Sequence, residues 1–204
     1  ILDKCFSSAL TITNNIIYMN HNSAELLKHS LNSYLAMNIS FANEIGKLAK
    51  AYNASSKDIS IGLKSDKRVG DKAYVLAGNA FHGGTLKRDL NHLESLSKQK
   101  NINLPLIKSI LISNELHANL VIEILKNYEN INNVFSFGLT YKINSNVLRD
   151  SNFMKDIYTL LKMKKNVYCF DSDIRLSDPK IIDIKNKGAV IFKKLNDFNS
   201  NKIV

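Results

Sequence analysis

Cysteine is scarce in this chain: only Cys5 and Cys169 occur among 204 residues, far apart and outside any Cys-x-x-Cys or Cys/His grouping. That spacing argues against a disulfide scaffold and against a metal site, and it suits a reducing compartment such as the cytoplasm. No apolar run reaches the roughly 18 residues that a membrane span requires. The N-terminal ILDKCFSSAL lacks the basic-then-apolar layout of a signal peptide. Ile1 is not an initiator methionine, so further residues are expected upstream. The eight glycines never fall into G-x-G-x-x-G, the phosphate-cradling turn of a dinucleotide-binding βαβ unit. Internal repeats and low-complexity segments are also missing, and no Lys/Arg run exceeds two residues.

What is present suffices for a packed core. Hydrophobic residues make up 45% and charged residues 23% of the chain, the composition of a globular protein. Domains most often hold roughly 100 to 150 residues, so two pieces are expected here. The formal charge of +10 favours anionic partners, but the lysines are scattered and form no basic stripe. Most of that charge is therefore read as solvated surface, with no nucleic-acid recognition motif to use it.

Along the chain, Asn22 and Glu25 have the spacing of a helix cap, and a helix is expected over 22–52. Leu27, Leu31, Leu35, Ile39, Ala42, Ile45 and Leu48 recur every three or four residues, an apolar stripe that has to be covered. A helix of roughly 30 residues is about 45 Å long, and such a helix commonly packs on a second subunit. A short helix is expected from Ser55 or Ser56 to residue 63, then the polar SDKRVGDK and the irregular, glycine-punctuated AGNAFHGGT. Helices are expected over 86–99 and, beginning near Pro105, for some 20 residues up to the polar ENINN break. Beyond it, a strand at 134–137, a helix around 150–164 and the strand-like NVYCF form a βαβ pattern with a parallel sheet. A further strand is expected at 188–192, and Asp171 and Asp173 read as turn residues. The expected units are 1–21 as linker, 22–130 as a helical domain and 131–204 as a partial α/β domain.

Three segments in series carry a resemblance: SAELLKHSLNSYLAMNISFANEI, then DKRVGDK leading to AFHGGTLKRDL, then FSFGLTYKINSNVLRDS. Together, over roughly residues 20 to 175, they resemble the UDP-glucose/GDP-mannose dehydrogenase family of nucleotide-sugar dehydrogenases. The fold this implies is α + α/β. It comprises a central all-helical dimerisation domain on a long helix and a partial Rossmann-like C-terminal domain, with the NAD-binding N-terminal domain outside these residues.

The resemblance also implies roles. Lys28 and Asn32, one helical turn apart, would face the sugar and stabilise developing negative charge on oxygen. Arg68 would reach across a homodimer to the substrate, since a guanidinium chelates phosphate or sugar oxygens. Gly83 and Gly84 would let backbone approach the nucleotide sugar, and Lys142 would help hold it. Arg88 and Arg149 would lie toward the dinucleotide, NAD. His82 beside the glycines reads as a loop residue. The family motif runs Gly-Gly-Ser-Cys-x-x-Lys-Asp; counting back from Asp89 puts Arg88 on the lysine and Thr85 on the catalytic cysteine.

That replacement falls on the nucleophile. The family reaction takes a primary alcohol to an aldehyde and then, through a thiohemiacetal and thioester, to a carboxylate. A thiol ionises near neutral pH, whereas an alcohol needs a strong adjacent base. Three outcomes stay open: an enzyme that stops at the aldehyde, one that reaches the acid by attack of water with Asp89 as base, and a module that binds nucleotide sugar without oxidising it. The expected protein is a piece of an NAD-dependent 6-dehydrogenase, with the non-catalytic binding and dimerisation module as the alternative.

Overall fold

The computed structural model describes residues 17–128, 130–140 and 145–194. Helix α1, His21–Ala51, is capped by Asn20, whose side chain accepts from the Ser23 backbone N–H at 2.8 Å. The expected cap, Asn22, is the second residue of the helix, because the extended backbone at Asn20 already presents an amide oxygen to the open first turn. Helix α2, Ser56–Ser65, starts as expected, with Ser55 Oγ accepting from Asp58 N–H.

The apolar stripe of α1 is only partly buried, with Ala42 inside and Ile39 packed against the core. Ser33, Ala36, Ser40, Ala42, Asn43 and Ala49 are buried, while Leu27, Leu31, Tyr34, Phe41, Leu48 and Tyr52 stand exposed. Small side chains inside let α3, Gly84–Gln99, and α4, Pro105–Ala118, approach α1 closely. Ala36, Phe81, Leu90 and Ile110 form the core between them. Helix α3 begins two residues earlier than expected, so Gly84 and Thr85 belong to its first turn. The long helix expected after Pro105 is interrupted at Asn119 and resumes as α5, Leu120–Lys126. Lys155 bonds both Glu115, at 2.5 Å, and Asn119, at 3.0 Å, tying this break to the following unit.

The βαβ expectation holds. Strands β1, Asn133–Phe137, β2, Asn166–Phe170, and β3, Val190–Phe192, form a parallel sheet in that order, with Val134 opposite Val167 and Tyr168 opposite Val190. The crossovers are α6, Asn152–Lys162, and α7, Pro179–Asn186. Helix α7 was not anticipated; Asp178 caps it and Pro179 opens it, a start signal hidden in a short polar segment. Ile122 from α5 joins Ile157, Leu160, Val167, Ile181 and Ile184 in the core on one face of the sheet. Side chains alternate along each strand, so the opposite face carries Phe135 stacked on Tyr168, with ring centroids 4.8 Å apart, and Phe137 near Phe170. Cys169 is free and buried, and burial pushes its thiol up to about 12, which makes it inert; Cys5 lies outside the described residues. Among the described residues no helix is long and apolar enough to cross a membrane.

One glycine fixes how α1 meets the loop before α3. A Cβ added at Gly46 would overlap the Cβ of Ala77. Replacing a mid-helix glycine by alanine ordinarily gains up to about 1 kcal/mol in helix propensity, but overpacking costs about 1–3 kcal/mol. G46A is therefore expected to lower stability in urea unfolding, and a stabilised variant would mean the loop yields without cost.

Candidate active site

The loop from Gly78 to Gly83 is held by side chains from two helices. Asn43 on α1 accepts from Gly78 N–H at 2.8 Å and donates to Asn79 C=O at 3.3 Å. Asn114 on α4 accepts from Phe81 N–H at 2.8 Å and donates to Phe81 C=O at 2.9 Å, the pairing a neighbouring strand would supply. A ring nitrogen of His117 bonds Gly78 C=O. At the end of the loop Gly83 adopts φ 79°, open to glycine at little cost, and its N–H donates to Asp150 C=O at 3.0 Å. A Cβ at Gly84 would lie 4.0 Å from a guanidinium nitrogen of Arg149. The C-terminal unit thus touches the start of α3.

Thr85 sits in the first turn of α3, exposed, where backbone N–H groups lack intrahelical acceptors and the helix dipole is positive. Among the described residues no carboxylate or imidazole bonds its hydroxyl. One turn on, at the i+4 position, Asp89 is completely buried. Its Oδ2 accepts from Lys28 Nζ at 2.5 Å and from Asn32 Nδ2, while Arg88 Nε lies 3.3 Å from Oδ1. Burial alone would raise this carboxyl, but the bonds from Lys28, Asn32 and Arg88 and the Lys28 charge outweigh it and hold Asp89 well below the usual carboxylate range. It is an anion that organises cations, and a weak base.

Beside this cluster, His29 Nδ1 is 3.3 Å from Asp89 Oδ1, and the rings of His29 and His92 stand 4.4 Å apart. Glu25 Oε1 is 4.0 Å from His92 Nε2. On the other side of the loop, His82 meets the Phe153 ring edge-on and burial lowers its pKa, in keeping with a loop residue. Nearby, burial pushes Asp156 on α6 up to about 6.

Residues 22–116 match the central domain of the UDP-glucose/GDP-mannose dehydrogenase family. The chain belongs to this family. It is 32% identical over 153 residues to a UDP-glucose 6-dehydrogenase of Rickettsia bellii, covering 73% of this chain and 35% of that protein. It is 31% identical over 185 residues to a UDP-glucose 6-dehydrogenase of Campylobacter jejuni, covering 90% of this chain and 44% of that one. The fold is similar to a UDP-glucose dehydrogenase from Pyrobaculum islandicum, with a TM-score of 0.78, 24% identity and coverage of 94% of this chain and 45% of that chain. The chain therefore spans less than half the length of these relatives.

Set against the family motif, the structure brings Lys28, Asn32, Arg88 and Asp89 into one bonded cluster, with Thr85 on the same face of α3 and Gly83 and Gly84 beside Arg149. Arg68 stands apart, 89% exposed and paired with Asp66 at 2.6 Å. Lys142 lies outside the described residues. Asp171 is more than a turn residue: it is buried and its Oδ2 accepts from Leu139 N–H at 2.8 Å. The sequence reading missed Glu25, His29 and His92; the i,i+4 spacing of the first two was visible, their partner on α3 was not.

Replacing Asp89 by Asn removes the charge that Lys28 and Asn32 converge on. D89N is expected to lose about 2 kcal/mol at pH 7, the worth of hydrogen bonds to a charged group. Because the folded-state pKa is depressed, this contribution is complete above the ordinary value of 3.8 and is lost as the pH falls below it. Urea unfolding at pH 7, 5 and 3 reads the difference, and a gap that stays constant down to pH 3 would show that charge is not its source.

Proposed function

We propose that the chain is the central and C-terminal portion of an NAD-dependent nucleotide-sugar 6-dehydrogenase that oxidises the sugar alcohol once and releases the aldehyde. The observation that carries this reading is the Asp89 cluster. Lys28 and Asn32 are held by a carboxylate whose oxygens are already engaged, so their remaining donors are oriented for an oxygen on bound sugar. In the alcohol, that oxygen loses its proton as C6 loses hydride, and a fixed ammonium and amide favour the negative form. NAD, when bound, supplies the hydride acceptor. Arg149 beside Gly84, and Arg88 one turn on, are exposed guanidinium groups of a kind that fits its phosphates. The G-x-G-x-x-G turn that would hold most of it is not among these 204 residues.

The second oxidation needs either a covalent carrier or an activated water. Thr85 has no base within bonding reach among the described residues, and Asp89, with its lowered pKa, is ill suited to deprotonate water. Both routes to the acid are thus weak, which favours release at the aldehyde over a water route through Asp89.

Nucleotide-sugar binding would draw on Gly83, Gly84 and, from outside the described residues, Lys142. Arg68 is exposed, as an arginine that serves a neighbouring subunit would be. The exposed heptad-like row of Leu27, Leu31, Tyr34, Phe41 and Leu48 on α1, continued by Tyr52 at its C-cap, supports a homodimer built on this helix. The proposed units remain 22–130 and 131–204, with α5 lending Ile122 to the core of the second.

The test is to count NADH formed per nucleotide sugar consumed by the full-length protein, across a panel of UDP- and GDP-sugars. One per sugar is expected, rising toward two in T85C, which restores a thiol at the helix N-terminus. Two in the unaltered protein would replace this reading with a water route, and none, with binding intact, would leave a binding module. The dimer is checked separately: L31K combined with L48K should sediment as a monomer while keeping the helical circular dichroism of the parent.

A further inference from the structure

Two imidazoles and a carboxylate meet where α1 crosses α3, behind Asp89. Glu25 and His29 are one turn apart on α1, and His92 comes from α3. One ligand atom from each lies within 4.8 Å of the other two. Two ring nitrogens here, His29 Nδ1 and His92 Nε2, are buried and make no hydrogen bond among the described residues. A buried polar atom left unsatisfied costs about 1–3 kcal/mol, so two at one crossing need a partner.

We propose that Glu25, His29 and His92 bind a divalent transition metal of the zinc type, which staples α1 to α3. Two histidines with one carboxylate are a zinc ligand set. Imidazole nitrogen also selects zinc, cobalt or nickel over magnesium and calcium, which prefer all-oxygen shells. Zinc bonds of about 2.0–2.1 Å place tetrahedral ligand atoms roughly 3.4 Å apart, so the 4.0 Å between Glu25 Oε1 and His92 Nε2 closes by small side-chain rotations. Both of these side chains retain solvent access, 53% for Glu25 and 39% for His92, which gives an ion a way in and leaves a fourth position for water.

The surroundings fit a ligating histidine. His29 Nδ1 lies 3.3 Å from Asp89 Oδ1 without a hydrogen bond, and a small ring rotation that makes this bond leaves Nε2 for the ion. A metal-bound histidine commonly donates its other N–H to a carboxylate, which fixes its tautomer and strengthens it as a ligand. The ion would join the two helices that carry Lys28 and Asn32 on one side and Thr85 and Asp89 on the other. This inference does not depend on the oxidation proposed above, because it rests on ligand geometry alone.

The test is a titration of untagged, chelator-stripped chain with Co²⁺ and then Zn²⁺. One equivalent of Co²⁺ should give a visible d–d absorption that Zn²⁺ bleaches, with a rise in Tm, and Mg²⁺ should do neither. H92Q, at a half-exposed position, should keep the parent circular dichroism and weaken binding by at least about tenfold; H29Q and E25Q should act in the same direction. H21Q, at the exposed start of α1, should change nothing and so separates this site from adventitious histidine binding. Absence of a saturable one-equivalent spectrum, or affinity unchanged in H92Q, overturns the proposal.

Discussion

Everything in the helical unit turns on one buried carboxylate. An ionised aspartate withdrawn from water costs several kcal/mol unless it is surrounded by donors, and Asp89 is fully buried. The two donors to its Oδ2 come from a different helix: Lys28 and Asn32 stand on α1, whereas Asp89 stands on α3. The pair of helices can therefore slide or rotate against each other only by stranding the charge. That constraint fixes the crossing, and the crossing fixes where Thr85, one turn before Asp89, faces. The same bonds that stabilise the fold lower the carboxyl's affinity for a proton, so the fold and the proposed chemistry draw on Asp89 in one form, the anion.

The second constraint is the loop that precedes α3. A glycine-rich segment loses more backbone freedom on folding than any other, and here the ordering comes from amide side chains. Asn43 and Asn114 each give one acceptor and one donor to loop backbone, from α1 and α4 respectively. Gly46 leaves room for Ala77 to sit directly on α1. The final turn is closed from the other unit by Asp150 C=O, whose own φ of 56° aims the carbonyl back at Gly83. The helical and sheet-bearing units are joined at that point, and again where Lys155 reaches Glu115 and Asn119.

Much of this was legible in order of residues alone, for identifiable reasons. The βαβ pattern is local, since NVFSF and NVYCF are short apolar runs separated by one amphipathic helix, and it survived intact. Lys28, Asn32 and Asp89 were found through motif spacing, and the structure joins them. Periodicity left open where the stripe of α1 finds its cover. Leu27, Leu31 and Leu48 belong to a stripe expected to be covered, on a helix expected to pack on a second subunit; within this chain, close packing of three helices selects Ala36, Ser40 and Ala42 at the crossings, where a leucine would hold the axes apart. Periodicity reports that a face is apolar; it does not report which apolar face has a partner within the same chain. The histidine pair was invisible for a related reason, because His29 and His92 become neighbours only through the α1–α3 crossing.

The position of Thr85 fits the proposed replacement of the family's cysteine without loss of the fold. Asp89, Lys28, Asn32 and Arg88 form a network that does not include residue 85, and Thr85 is exposed at a helix start held in place by Gly83 and Asp150. Threonine is tolerated in a first turn, so the substitution leaves the scaffold unstrained. In the proposed function, the chemistry that depends on a thiol is thus removed while the groups assigned to orient the alcohol oxygen stay in place. A first oxidation requires only that orientation and a hydride acceptor; a second requires the missing sulfur or a base of ordinary strength. On the function proposed above, the carboxylate that would serve as that base is Asp89, whose proton affinity the fold has lowered, and that is the ground for assigning the chain the first step alone.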